Sequence, residues 1–300
     1  LTPVDFAYLA ERIKARSGIS LGEDKIYLCE ARLEPVAKAH KLGSISKIVP
    51  ALRSAPNSEL LDDIVDAMTT NETLFFRDQG PFDLFEKRLL PQFAASRGRQ
   101  TPIRIWSAAA STGQEAFSLA ILISEARASL GDLKVEIIGT DLCRAALARA
   151  QSGRFNQFEI QRGLPRHICA KYFTHDGNDW VVSREIRNMV RFQRLNLMED
   201  FRSLGRFDIV FCRNVLIYFD FATKRDVLAR TAAVMADDGA LILGASETVI
   251  GISEQFTMVD GARGLYVKTG KNPAGLPIAT SFFPQARADS TALSSASRKT

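Results

Sequence analysis

Hydrophobic and polar positions follow two different periods along this chain, and the change falls near residue 100. Before about residue 70 the spacing is helical. Phe6, Leu9 and Ile13 share one face, Gly18 stops that helix, Ile26 to Ala39 resumes the pattern, and Leu60, Ile64, Val65 and Met68 continue it. This predicts a small all-α N-terminal domain over residues 1–75. Leu74 to Arg97 reads as a connecting helical segment broken at Pro81 and Pro91, giving a linker over 76–100.

From Ile103 short apolar runs alternate with helical stretches. Strands are expected at 103–108, 134–140, 190–195, 207–212, 240–245 and 263–268, and helices at 115–128, 143–151 and 221–235. Such alternation predicts an α/β domain over 101–268, with a mainly parallel, Rossmann-like sheet covered by helices on both faces. Between Gly153 and Asn188 the pattern weakens, and Asp176-Gly177-Asn178 marks a turn before Trp180, Val181 and Val182. An insert is expected at about 155–190. After Lys268 the chain turns to Gly, Pro, Ser, Thr and Ala, which predicts a disordered tail over 269–300.

Composition narrows the class. A 46% hydrophobic content over 300 residues is enough for a substantial core. No apolar run approaches the ~18–20 residues of a membrane span, and the start lacks a signal-peptide pattern, so a cytoplasmic protein without direct membrane insertion is expected. Cys29, Cys143, Cys169 and Cys212 are scattered, and the histidines are His40, His167 and His175. Neither a disulfide framework nor a metal site is suggested. The net charge is +5, and basic residues outnumber acidic ones between Arg144 and Arg194. That stretch suits either an acidic partner surface or a solvated face.

The most specific stretch is Ile103-Arg-Ile-Trp-Ser-Ala-Ala-Ala-Ser-Thr-Gly-Gln-Glu115, a strand pattern that breaks into tiny residues and then opens a helix. Ser107 to Gly113 carry little side chain, so a ligand can approach the backbone closely. Thr112 and Glu115 have the spacing of a capping box for the following helix. Glu115 is therefore open to two readings, as the capping acid or as a partner for a ligand's ammonium. The second strand ends in Asp141, somewhat further from Gly113 than the usual ~20 residues between a nucleotide loop and its ribose carboxylate. The loop has one glycine where a dinucleotide fingerprint has three, which points away from a pyrophosphate. S-adenosylmethionine carries ribose and adenine but no phosphate, and its sulfonium favours carboxylates and aromatic faces. The fourth strand runs off its carboxyl end through Phe207-Asp-Ile-Val-Phe-Cys-Arg-Asn-Val-Leu-Ile-Tyr-Phe219, delivering Asn214 and Tyr218 to the edge where open α/β sheets bind ligands.

Four blocks in order, Thr69 to Arg77, Trp106 to Glu115, Leu195-Asn-Leu197 and Cys212 to Phe219, resemble the signatures of the chemotaxis receptor glutamate methyltransferase family, CheR. The resemblance covers about residues 1 to 268. It implies a class I methyltransferase sheet, S-adenosylmethionine as cofactor with S-adenosylhomocysteine as product, and no metal. It implies methyl-ester formation on glutamates of a methyl-accepting chemotaxis receptor's helical bundle, with no nucleic-acid partner. Carried onto this sequence, it points to Asn71, Thr73, Arg77, Ala108, Gly113, Glu115, Asp141, Asn196, Leu197, Asn214 and Val215 around the cofactor. Arg77 and Tyr218 would lie closest to the transferred methyl. Lys25, Arg32, Lys38 and Lys41 on the second helix would form a basic receptor face. A β insert at about 155–190 would serve as a receptor tether in some members, although the Asp176–Asn178 turn is short.

Two rival readings differ in their expected residues. Methylation of a nucleobase amine usually uses an Asn/Asp-Pro-Pro-aromatic turn, whereas Asn214 is followed by Val215 and Leu216. A non-catalytic scaffold with the same fold would not need Arg77, Asp141, Asn214 and Tyr218 together.

Overall fold

The computed structural model describes residues 1–56, 58–97, 100–131 and 133–271. Most of the expected tail, from residue 272 on, lies outside the described residues. Thr269 at its start is still tied down, its amide donating to the Gln255 carbonyl at 2.9 Å.

Four helices, Pro3–Ser17, Ile26–Ala39, Ile48–Ser54 and Glu59–Met68, bury one face each around Leu9, Ile13, Leu33, Leu52 and Ile64. The Thr2 hydroxyl caps the first helix by accepting the Asp5 amide at 3.1 Å, and Pro3 occupies its first turn, where no N–H is needed. This helical part is ion-paired to the rest of the chain. Arg144 contacts Asp63 and Asp66, the latter at 2.7 Å, and Lys14 reaches Asp220 at 2.7 Å.

The linker departs from expectation. Pro81 begins a helix rather than breaking one, and Gly80–Leu84, the wide-turned Phe85–Leu89 and Leu90–Arg97 run on without interruption through Pro91. A proline ring ordinarily collides with the carbonyl four residues back, and the π turn just before Pro91 widens the helix where that collision would occur. Arg97 at the helix end is anchored by Asp208 and Asp238.

Among the described residues ten strands follow: β1 Ile103–Ala108, β2 Val135–Asp141, β3 Arg154–Asn156, β4 Phe173–Asp176, β5 Asp179–Val182, β6 Val190–Arg194, β7 Phe207–Cys212, β8 Met235–Leu243, β9 Phe256–Met258 and β10 Leu265–Lys268. Seven form one sheet in the order β6-β2-β1-β7-β8-β10-β9, parallel from β6 to β8 and antiparallel beyond. β8 starts earlier than expected, and β9 was not expected at all because three residues show no readable alternation. Side chains leave successive positions on opposite faces. Ile105, Ile137, Ile209 and Phe211 join a core with the helix Gln114–Leu130, while Trp106, Ile138, Val210 and Cys212 join a second core with the helix Phe221–Val234. Helices thus cover both faces. Trp106 is fully buried, stacked on Phe207, with its indole N–H donating to Thr140 Oγ1 at 2.9 Å.

The segment expected as an insert is more ordered than its sequence pattern suggests. β3, β5 and β4 make a small antiparallel sheet, accompanied by the short helices Gln157–Gln161, Arg166–Tyr172 and Arg184–Asn188. Phe155 and Phe173 from this unit pack edge-on against Phe75, which clamps the segment leading to Arg77.

Candidate active site

The strand order reverses between β1 and β7, so the loops leaving their carboxyl ends diverge and open a crevice. The first loop is tightly wound. Ala109 (φ 57°) and Ser111 (φ 52°) are left-handed without being glycine, a conformation that costs energy and is held by specific bonds. The Ser111 amide donates to Asp141 Oδ2 at 2.8 Å, the Ser111 hydroxyl to the Asn71 carbonyl at 2.8 Å, and the Ala110 amide to the Thr140 carbonyl at 2.8 Å.

The expected capping box is not formed. The helix starts at Gly113 with no side-chain cap, and the Thr112 hydroxyl instead donates to Gln114 Oε1 at 2.7 Å. Glu115 turns back to the sheet, accepting from the Ser107 hydroxyl at 2.8 Å and from Arg213 Nη1 at 3.0 Å. Spacing alone does not make a capping box, because a left-handed Gly113 at the cap places the side chains differently from an extended Ser or Thr. Gly113 stands at φ 96°, a backbone conformation that L side chains rarely adopt, and a Cβ there would also crowd Ala150 at 3.0 Å and Phe117 and Phe192 at 3.1 Å.

Asp141, at the end of β2, is 7% exposed, and its other oxygen accepts the Cys143 amide at 2.8 Å. Burial pushes its pKa above the usual aspartate value, with the amides of Cys143 and Ser111 pulling the other way. A carboxylate has about four acceptor positions, so two amides leave room for hydroxyl donors.

Arg213, at the exit of β7, has a side chain only 1% exposed. Besides Glu115 it binds the Arg77 carbonyl at 2.8 Å and Asp78 Oδ2 at 2.9 Å. Phe76, Asp78 and Gln79 are all left-handed, so Arg213 holds a strained turn that carries Arg77. Arg77 is half-buried and donates Nη1 to the Glu72 carbonyl at 2.9 Å. Tyr218 ends the short turn Leu216–Tyr218, and among the described residues its hydroxyl has no hydrogen-bond partner.

The helical part closes the other side. After Gly18, Ile19 makes an antiparallel bridge to Phe219, and the Ser20 amide donates to the Tyr218 carbonyl at 2.9 Å. The Asn196 amide group donates to the Arg16 carbonyl at 2.6 Å, and its oxygen accepts the Met198 amide at 3.0 Å. The side chain of Asn196 is thus committed to holding the end of the first helix.

These elements line a cleft whose free space, counting the open solvent at its mouth, is about 900 Å³. It brings together Asn71, Thr73, Arg77, Glu115, Asp141, Asn196, Leu197, Asn214, Val215 and Tyr218. Ala108 and Gly113 do not line it: Ala108 faces the second core, and the bend that reaches the cavity is Ala109-Ala110-Ser111. The motif reading passed over Arg213, although it stands inside one of the quoted blocks, and it passed over Ser17 and Ile19, whose distance in sequence gave no signal. Acidic Glu115 lines the wall where the helix opens, a poor setting for a phosphate, while buried Asp141 suits a ribose diol. The residues therefore fit S-adenosylmethionine. Among the described residues no cluster of three or more His, Cys, Asp or Glu stands ready to hold a metal.

Comparison with known proteins agrees with this geometry. The family model for the CheR methyltransferase SAM-binding domain matches residues 71–265, and that for the CheR methyltransferase all-alpha domain matches residues 4–69. Chemotaxis protein methyltransferase 1 of Pseudomonas aeruginosa is 40% identical over 265 residues, covering 87% of this chain and 96% of its own. Chemotaxis protein methyltransferase Cher2 of Pseudomonas putida is 39% identical over 266 residues with the same coverage, and the chemotaxis protein methyltransferase of Salmonella typhimurium is 31% identical over 264 residues, covering 86% and 88%. With both of its parts matched in order and relatives about 40% identical over most of its length, the chain belongs to the CheR methyltransferase family.

Proposed function

We propose that this protein transfers a methyl group from S-adenosylmethionine to glutamate side-chain carboxylates on the cytoplasmic helical bundle of a chemotaxis receptor, forming methyl esters. The observation that carries the proposal is the gathering of buried Asp141, Arg77 and Tyr218 around one cavity. Both family matches and the names of the relatives support S-adenosylmethionine-dependent methylation in chemotaxis.

When bound, S-adenosylmethionine supplies an electrophilic methyl on a sulfonium. Asp141 would take the ribose hydroxyls, the Ala109–Ser111 bend would let the ligand lie against backbone, and Asn71, Thr73, Glu115, Leu197, Asn214 and Val215 would line its remaining length. Asn196 would act through the wall it anchors. A glutamate with a pKa of ~4.3 is already ionised at neutral pH and needs no base. The protein's task is to hold the incoming carboxylate and keep water out. Arg77 would orient that carboxylate with guanidinium donors, and Tyr218 with its hydroxyl.

The test is incubation of receptor fragments with methyl-labelled cofactor, followed by mild base. Methyl esters release labelled methanol, whereas methylated amides or nucleobases do not, and absence of volatile label would reject the proposal. Arg77→Ala and Tyr218→Phe are each expected to lower kcat by about 10- to 100-fold, roughly the range of one lost charge-assisted hydrogen bond. Unchanged turnover in both would reject their roles.

A further inference from the structure

We infer that Glu247 is a positioning residue for this active site, its carboxylate setting the exit of β7 that carries Asn214, Val215 and Tyr218. The inference rests on reading the neighbouring cavity as the cofactor and methyl-transfer site. Glu247 does not line that cavity. It stands on the loop after β8 and is 9% exposed.

Its two oxygens collect four backbone amides. Oε2 accepts from Asn214 at 2.7 Å and Gly244 at 2.8 Å, and Oε1 accepts from Val215 at 2.9 Å and Leu216 at 2.8 Å. Three consecutive amides converge because Asn214 is left-handed (φ 58°), which turns the chain into a small anion-binding nest. Here the chain's own carboxylate fills the nest. The fourth amide comes from the exit of β8, so one side chain ties together the ends of two adjacent parallel strands. Gly244 is required for the closeness, because a Cβ there would lie 2.7 Å from Glu247 Oε2 and 2.9 Å from Asn214 Nδ2. Among the described residues no ion pair is formed by Glu247, and its direct partners are these backbone amides.

The consequence reaches the cavity by a short route. Val215 and Leu216 begin the turn that ends at Tyr218, and that turn closes by the Tyr218 amide donating to the Val215 carbonyl at 3.2 Å. Without an anion, the three amides would turn toward other acceptors, and Asn214 would lose the support for its left-handed backbone. A glutamine of the same shape has one acceptor oxygen and an NH2 group, which would face amide donors it cannot accept from.

The experiment compares native protein with Glu247→Gln and Glu247→Asp, all as full chains. S-adenosylhomocysteine affinity is read by calorimetry, cooperativity by thermal melting, and kcat and KM by methyl transfer. Glu247→Gln is expected to weaken S-adenosylhomocysteine binding and to lower kcat by about tenfold each while still melting cooperatively. Glu247→Asp, which keeps the charge on a shorter stem, is expected to fall between. A purely structural role would lower the melting temperature but leave the affinity and kcat of the folded protein unchanged, and that result overturns the inference. Should the glutamine variant fail to fold, the aspartate variant decides alone, with native affinity and kcat again overturning it. If the native protein itself binds no S-adenosylhomocysteine, the reading of the cavity fails and the inference with it, an outcome separate from any difference among variants.

Discussion

Replacing Asp141 by asparagine separates what this residue does for the ligand from what it does for the fold. Asp141 is buried at the end of β2, one oxygen on the Ser111 amide and the other on the Cys143 amide. Burial raises its folded pKa above the unfolded value. For a group raised in this way, the contribution to stability is full below the unfolded pKa and is lost as pH rises through the folded one. Ionising this carboxylate therefore works against the empty fold. Asparagine removes that charge, but its NH2 must face one of the two amides. The two effects oppose, so the melting temperature of the ligand-free protein should move by no more than the equivalent of about 1–2 kcal/mol. Binding should change far more. A charge-assisted hydrogen bond to a ribose hydroxyl contributes about 1.5–3 kcal/mol, so S-adenosylhomocysteine should bind roughly 10- to 150-fold more weakly. Calorimetry at neutral pH measures this directly. Melting gives a second readout: ligand at ~100 Kd stabilises the native protein by about 2.7 kcal/mol, and the same concentration stabilises a 100-fold weaker variant by only about 0.4 kcal/mol. Native affinity should also fall on acidification at a higher pH than an ordinary aspartate would dictate. Asp141→Asn binding within about twofold of native would refute the ribose assignment.

Arg97→Met removes the ties from the linker helix to Asp208 and Asp238 and should destabilise by about 2 kcal/mol in urea titration, less than for a fully buried pair because Asp238 is 40% exposed. Hydrogen bonding to Arg97 holds Asp238 below its usual pKa, so this stabilisation is present above the unfolded value and lost as pH falls through the folded one. The gap between native and variant should therefore narrow in strong acid, and a gap unchanged between pH 7 and pH 2 would count against the pairing. Asn196→Leu cuts the bonds to the Arg16 carbonyl and the Met198 amide, and should both lower the melting temperature and weaken S-adenosylhomocysteine binding by about tenfold, through loosening of the Ser17–Ile19 wall. Unchanged affinity with reduced stability would show that this wall matters to the fold alone.

Much of the architecture was legible in local pattern. Helical spacing marks the helices before residue 70, and alternating apolar runs mark β1, β2, β6, β7, β8 and β10, because burial on a sheet face or helix stripe imposes a period that a linear reading detects. Boundaries suffered where tertiary context overrides local rules. Pro91 passes through a continuous helix because a π turn makes room for it. Residues 154–188 form a compact unit whose strands are too short for any period to emerge.

The site divides along the same line. Asp141, Arg77, Asn214 and Tyr218 stand out in the sequence because each lies in a distinctive local motif, and the structure places all four around one cavity. Which partners the surrounding groups hold is decided by contacts between residues far apart along the chain. Glu115 has capping-box spacing yet pairs with Arg213, 98 positions away, and Asn196 is a motif residue whose side chain serves Arg16, 180 positions away. Glu247 satisfies amides about thirty residues upstream without any motif of its own. A hydrogen-bonding side chain records in sequence only what it is, and its partner is chosen when the sheet brings distant strand ends within about 3 Å of one another.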